Sequence, residues 1–114
     1  MSSLSKLVAR KILVMFPDQA MRVQVERSLK IDMGVDQQRV DRLRLAILKL
    51  SAGHVEKINI AGAIQDPEDT LAWAERPEWM KLAFQNQKLS EKDKNGIDAR
   101  DWNQYHEWLA EGLK

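Results

Sequence analysis

Residues 36–53, with the sequence DQQRVDRLRLAILKLSAG, constrain the fold most, because they combine a helical pattern with a start signal and a stop signal. Asp36 can accept the free backbone N–H groups of a first turn, and Val35 and Val40 occupy the two positions of a hydrophobic staple. Gly53 can adopt the left-handed conformation that commonly ends a helix. The segment therefore predicts a helix of about four turns.

The predicted helix has apolar residues on two faces. At about 100° per residue, one set fills an arc of roughly 120°, and a second set lies on the other side among charged residues. Such a helix is either enclosed by its own domain, which is the ordinary reason, or covered on one side by another molecule. The first set is Val40, Leu43, Ala46, Ile47 and Leu50, and the second is Leu45 and Leu48 beside Arg42 and Lys49.

Length and composition favour one domain over residues 1–114, which should bury roughly two thirds of the surface of the unfolded chain. Because the chain has no cysteine, disulfides and zinc thiolate sites are excluded, and we expect a cytoplasmic protein. The apolar run at 12–16 is shorter than the roughly 7–15 residues of an export signal. No stretch approaches the length of a membrane span, so we expect no membrane partner.

Charge is unevenly distributed, although the net charge is +1. Residues 1–31 contain six basic and two acidic residues, and residues 66–114 contain seven basic and eleven acidic residues, which gives +4 and −4. Such asymmetry can mark a basic surface for nucleic acid. The ordinary interpretation is that the two ends of the chain attract one another across the folded domain, since no long basic block is present.

The remaining hydrophobic spacing also favours helices. Helices are predicted over 4–15 and 18–33, with Asp18 as an N-cap, and more weakly after Gly53. Asp66-Pro67 and Pro77 each begin a short helix, because proline suits the first helical position. We predict an all-α domain of five or six helices packed around residues 36–52. An α+β fold, with short strands near 11–16 and 58–64, is the alternative.

A polar linker is predicted over residues 87–96, which contain one apolar residue and end in Lys-Asn-Gly. After it, Asp98 is assigned as the N-cap of a C-terminal helix, with Asp101 at the third position of a capping box. Ile97 and Trp102 form its staple. The helix should dock on the rest of the domain through an apolar arc of Ile97, Trp102, Tyr105, Trp108, Leu109 and Leu113.

No group of residues in the sequence identifies an enzyme. His54 and His106 lie far apart and outside any paired metal-ligand spacing, no serine has a nucleophile-elbow context, and no glycine-rich phosphate loop occurs. Residues 91–98 resemble the start of a calcium loop. A loop that begins at position 91 would have Trp102 at its twelfth position, where a glutamate is required. We therefore expect no catalytic, cofactor-binding or metal-binding residues and no cofactor.

The predicted function is a small non-enzymatic interaction or regulatory module that binds a protein partner or self-associates. Its candidate surface is Leu45, Leu48, Arg42, Lys49 and Trp79. Trp79 is included because a tryptophan at a helix start should be partly exposed, whereas Trp102 and Trp108 are predicted to lie in the core.

Weak nucleic-acid binding by the basic N-terminal half is the alternative function. Acidic or apolar residues interrupt every basic stretch, and all four tryptophans lie in the acidic half. The candidate phosphate contacts are Lys6, Arg10, Lys11, Arg22, Arg27, Lys30, Arg39, Arg42, Arg44 and Lys49.

Overall fold

The computed structural model describes residues 4–31, 33–84 and 90–111, and over these residues the chain forms seven α-helices and a 3₁₀ turn, with no strand. The predicted all-α fold is confirmed. The helix count is higher than the expected five or six, and both alternative strands are wrong, because those segments lie largely in α1 and α4. The helices are α1 (Lys6–Met15), α2 (Gln19–Leu29), α3 (Gln37–Ser51), α4 (Ile60–Gln65), α5 (Pro67–Glu75), α6 (Pro77–Phe84) and α7 (Glu91–Ala110), with the 3₁₀ turn at Val55–Lys57.

Short polar side chains begin most of these helices by accepting a backbone N–H of the first turn. The predicted caps at Asp18, Asp36 and Asp66 accept from Met21, Arg39 and Asp69, respectively. α2 stops at Leu29, before the predicted end at 33. α3 ends in two left-handed residues, Ala52 and Gly53, with φ angles of 53° and 82°, so the left-handed end predicted at Gly53 is confirmed.

α3 is the central helix, as the sequence predicts, and it packs against α1, α4 and α5. Both of its predicted apolar sets are used, since Leu43 and Leu48 on opposite sides are fully buried. Leu50 is the exception, with 43% of its surface exposed near the end of the helix. The shared core consists of Val8, Ile12, Phe16, Val25, Leu29, Met33, Val40, Leu43, Leu45, Ala46, Ile47, Leu48, Ala63, Leu71 and Ala74.

α7 begins earlier than the sequence predicts. Ser90 is its N-cap and accepts from the N–H of Asp93, so residues 91–96 are helical and not part of a linker. The predicted cap at Asp98 is therefore wrong, and residues 87–89 and Leu113 lie outside the described residues. Asn95 and Gly96 disfavour a helix by up to about 1 kcal/mol each, but burial of Ile97 offsets this cost. The single-domain assignment stays a prediction.

Three buried charged side chains each contact the end of another helix. Lys11 donates from Nζ to the carbonyl oxygens of Trp108 (2.6 Å) and Glu111 (3.4 Å) at the end of α7. Arg44 donates from Nε to the carbonyl oxygen of Leu29 (2.8 Å) at the end of α2. Asp101 accepts from the backbone N–H groups of Glu78 (3.1 Å) and Trp79 (3.2 Å) at the start of α6.

The sign of each buried charge suits the helix end that it meets. Cations are stabilised at helix C-termini, where carbonyl groups are unpaired, and anions at N-termini, where N–H groups are unpaired. Burial lowers the pKa of Lys11, and attraction to Glu111 partly opposes this shift. These contacts join α1 to α7, α3 to α2, and α7 to α6.

Candidate functional site

Leu45 and Leu48 do not form a surface. They are 7% and 0% exposed and belong to the apolar core, because the helices around α3 cover both of its sides. The prediction that they contribute to an interaction surface is therefore wrong for these two residues. Internal enclosure, the ordinary interpretation of the two-faced helix, is what the structure has.

The other three predicted surface residues lie apart from the leucines. Arg42 is exposed and forms two hydrogen bonds with Glu75, at 2.8 and 3.3 Å. Lys49 is half-buried, and burial lowers its pKa against the opposing attraction of Asp101. Trp79 is half-buried, as expected, and the guanidinium of Arg76 lies 5.0 Å from the centre of its ring.

An open cleft of about 490 Å³ lies between α3, the junction of α5 and α6, and α7. We call it the α7 cleft, since α7 supplies most of its lining. Arg42 is the one predicted surface residue that it contains. Its lining residues are Arg42, Glu75, Arg76, Asp98, Asp101, Trp102, Tyr105 and His106.

Trp102 is the most exposed large hydrophobic residue among the described residues, at 66%. Its ring lies 4.1 Å from that of His106, centre to centre, at an interplanar angle of 44°. The prediction that Trp102 lies in the core is wrong, because α7 docks through the face that carries Ile97, Asp101 and Trp108. Trp102 is about 100° from Asp101 around the helix, which leaves it at the mouth of the cleft.

Ion pairs hold the charged walls of the cleft in place. Arg76 contacts Asp98 at 2.6 Å, and Arg42 contacts Glu75 at 2.8 Å. Asp101 is engaged by the start of α6. The cleft therefore offers a polar rim whose cations are already neutralised, around an exposed aromatic surface.

Tyr105 forms the inner aromatic wall of the cleft. Burial raises its pKa to about 12, the negative charge of Glu75 adds to this shift, and Arg42 opposes it. Tyr105 therefore stays protonated at neutral pH and cannot act there as a base. His106, one turn after Trp102, is exposed.

The described part of the chain offers no set of three His, Asp or Glu side chains that could hold a metal ion. None of its helices is both long and apolar enough to cross a bilayer. The arrangement in the α7 cleft suits contact with another molecule, since an aromatic surface and fixed polar groups converge there.

Family models, curated proteins and solved structures give no match to this chain.

The α7 cleft was not predicted, although part of its signal is in the sequence. Asp98, Trp102 and His106 recur at intervals of four residues and so share one helical face. Glu75 and Arg76 reach the cleft only through the turn between α5 and α6, whose direction no local pattern specifies.

Proposed function

We propose that this protein is a non-enzymatic interaction module whose protein partner docks on the α7 cleft, with Trp102 as the anchor. The observation that carries the proposal is the 66% exposure of Trp102 at the mouth of an open cleft. Tryptophan is strongly enriched among the residues that dominate binding energy at protein interfaces. The chain has no cysteine, and this supports the cytoplasm as the compartment in which the module works.

The surroundings of Trp102 support binding over catalysis. A protein interface typically has an apolar centre and a polar rim, and here the ion pairs Arg42–Glu75 and Arg76–Asp98 lie around the aromatic surface. Tyr105 holds its proton at neutral pH. Acid–base catalysis near pH 7 favours a group whose pKa lies close to that pH.

Site-specific photocrosslinking tests this proposal. The photoreactive residue p-benzoylphenylalanine replaces Trp102 in one version of the full chain and Ile64 in a control version. Ile64 is an exposed apolar residue on α4 that does not line the cleft. We expect a discrete protein adduct from position 102 that position 64 does not form, either in a native cell extract or with the purified chain.

Competition shows whether the adduct depends on the indole. For an adduct with a different protein, excess unlabelled wild-type protein should suppress it, excess Trp102→Ala protein should not, and excess Ile64→Ala protein should behave as wild type. The proposal fails if position 102 gives no saturable adduct, or if Trp102→Ala competes for that different protein as well as wild type.

Nucleic-acid binding is the second candidate, and exposed cations at Lys6, Arg10, Arg27 and Lys30 favour it. Lys11 and Arg44 are buried, so the prediction that they contact phosphate is wrong for these two residues. Exposed Leu13, Val23 and Ile31 interrupt the basic surface, whereas binding to phosphates depends on clustered charge. Nucleic-acid binding predicts that the chain retards duplex DNA or single-stranded RNA in a gel at low salt, and that this binding weakens steeply as salt is raised. Absence of retardation at low salt would contradict this candidate function.

A further inference from the structure

α1 has two different faces, and the fold uses one of them. Its inner face buries Val8, Lys11 and Ile12 completely. Its outer face carries Lys6, Arg10, Leu13 and Val14, which recur at intervals of i, i+4, i+7 and i+8. Leu13 is 58% exposed and Val14 is 43% exposed, and both cations are exposed. We call these four residues the α1 outer face.

The cations of the α1 outer face differ from three arginines in and beside the α7 cleft. Arg42, Arg76 and Arg100 each form an ion pair with Glu75, Asp98 and Glu78, respectively. Within the described residues, neither Lys6 nor Arg10 forms an ion pair. The expectation that charges at the two ends of the chain attract one another inside the fold therefore does not extend to these two cations.

We infer that the α1 outer face of a second copy of this chain occupies the α7 cleft. This inference rests on the proposed function, in which the cleft binds protein. One chain carries both surfaces, each with an exposed apolar group. The α1 outer face has two cations, whereas three carboxylates and two arginines line the α7 cleft, and all of these except Arg42 belong to segments of opposite net charge. Residues 1–31 have a net charge of +4 and residues 66–114 a net charge of −4.

The chemistry of the two surfaces is complementary. Lys6, Arg10 and Leu13 lie at i, i+4 and i+7 and so share one side of α1, which lets two cations and an apolar side chain approach one cleft together. Leu13 supplies an apolar group for the exposed ring of Trp102. Each carboxylate of the cleft has about four lone-pair sites, so Glu75 and Asp98 can accept from Lys6 or Arg10 of the second copy while keeping their own arginines.

A two-fold arrangement lets both contacts form at once. In a symmetric dimer each residue pair occurs twice, so the α1 outer face of each copy would meet the α7 cleft of the other. Two equal contacts then close the assembly at two copies. The expected species has twice the 13.2 kDa mass of the chain.

Sedimentation equilibrium of the purified full chain, over about 1 μM to about 1 mM and at low and high salt, tests this inference. We expect a dimer that weakens as salt is raised, because screening weakens the attraction between the charged segments. Trp102→Ala and Leu13→Glu should each raise the dissociation constant at least about 30-fold, which is the size of a strong interface hot spot.

Two controls separate disruption of the interface from unfolding. Ile64→Glu changes an exposed apolar residue outside both surfaces and should leave the dimer intact. Urea unfolding should show that the Leu13→Glu and Trp102→Ala proteins remain folded, as expected for residues that are 58% and 66% exposed. A folded variant that loses dimerisation has lost a contact between copies.

Mixing the two variants identifies which surfaces meet. A dimer of one Leu13→Glu chain and one Trp102→Ala chain keeps one intact contact, from the α1 outer face of the second to the α7 cleft of the first. The mixture should therefore form a heterodimer, weaker than wild type, under conditions in which each variant alone is monomeric. A mixture that stays monomeric would overturn the inference.

Three other results would also overturn it. The wild-type chain could be monomeric at about 1 mM in low salt, or both variants could dimerise as well as wild type. A monomeric chain could instead bind duplex DNA or phosphatidylserine vesicles through Lys6 and Arg10, which charge reversal of both residues would reveal. In each case a saturable photoadduct with a different protein at position 102 would leave the proposed function standing.

Discussion

The two halves of this molecule are held together in different ways. Around α3, helices α1 to α5 share a continuous apolar core in which Val8, Ile12 and Leu48 are completely buried. The first half of α7 buries Ile97 outside that core. It also meets α6 through polar contacts, with Asp101 at the start of α6 and the Arg100–Glu78 pair beside it. Apolar packing thus builds the body of the fold, while directional polar contacts position the α7 cleft.

This difference has a consequence for stability within the fold. Apolar burial contributes roughly in proportion to area, and losing it weakens the whole cooperative unit. A buried hydrogen bond contributes less in net terms, but a group left without its partner carries a desolvation cost. We therefore expect changes in the core to act globally and changes at Asp101 to act on the α6–α7 region.

The largest effect is expected at Leu48, on the central helix. Leu48→Ala should lower the free energy of unfolding by about 2–5 kcal/mol, because it removes buried methyl groups and leaves a cavity in a close-packed core. Equilibrium urea unfolding followed by circular dichroism measures the loss. All helices should unfold together at a lower urea concentration.

Leu50→Ala is the matched control for that change. Leu50 lies on the same helix but is 43% exposed, so its truncation should cost well under half as much. Equal losses at the two positions would mean that apolar burial is not what holds the α3 region together.

A smaller and more local effect is expected at Asp101. Asp101→Ala leaves the backbone N–H groups of Glu78 and Trp79 without their acceptor in a partly buried site, at a cost of about 1–3 kcal/mol. Amide hydrogen exchange should accelerate across α6 and the first half of α7. Amides of α1 to α5 should keep their protection.

Asp98→Ala is the matched control, since Asp98 lies on the same helix but forms an ion pair at the surface. Its contact with Arg76 joins two half-exposed side chains, and such pairs are worth about 0–1 kcal/mol. If Asp98→Ala accelerates exchange as much as Asp101→Ala, capping of α6 is not what holds α7.

The sequence predicted the central region well because its signals are local. The spacing of apolar residues in α3 and the caps at Asp36 and Asp66 depend on neighbours within a few residues, and the structure confirms them. The sequence did not show whether Leu45 and Leu48 are buried or exposed. Periodicity shows that two faces of the helix are apolar, but it does not show what covers each face.

The α7 region was predicted less well because non-local contacts outweigh local signals there. Lys94-Asn95-Gly96 is a turn-like sequence, yet it lies inside a helix whose docking depends on Asp101 and α6. The local pattern also assigned Asp101 to the cap of its own helix. In the structure it caps another helix, 22–23 residues earlier in the chain, and no periodic pattern encodes that partner.

The smallest effect at neutral pH concerns Tyr105, which connects the two regions through its position near Glu75 and Arg42. It is the only tyrosine in the chain, so ultraviolet absorbance of tyrosinate reports on it alone. We expect a titration midpoint of about 12 in the folded protein, against about 10 in denaturant. The folded state then holds its proton over a range where the unfolded chain has lost it.

Tyr105 should therefore stabilise the fold up to about pH 10 and lose that contribution as the pH rises towards 12, because the unfolded state binds fewer protons in this window. The shift depends on α7 remaining docked against α3 and α5, since burial is its main cause. Asp101→Ala should move the midpoint towards 10, whereas the exposed Asp98→Ala change should leave it near 12. A wild-type midpoint near 10 would mean that solvent reaches this wall of the cleft, and the polar contacts would then hold α7 more loosely than the apolar core holds α3.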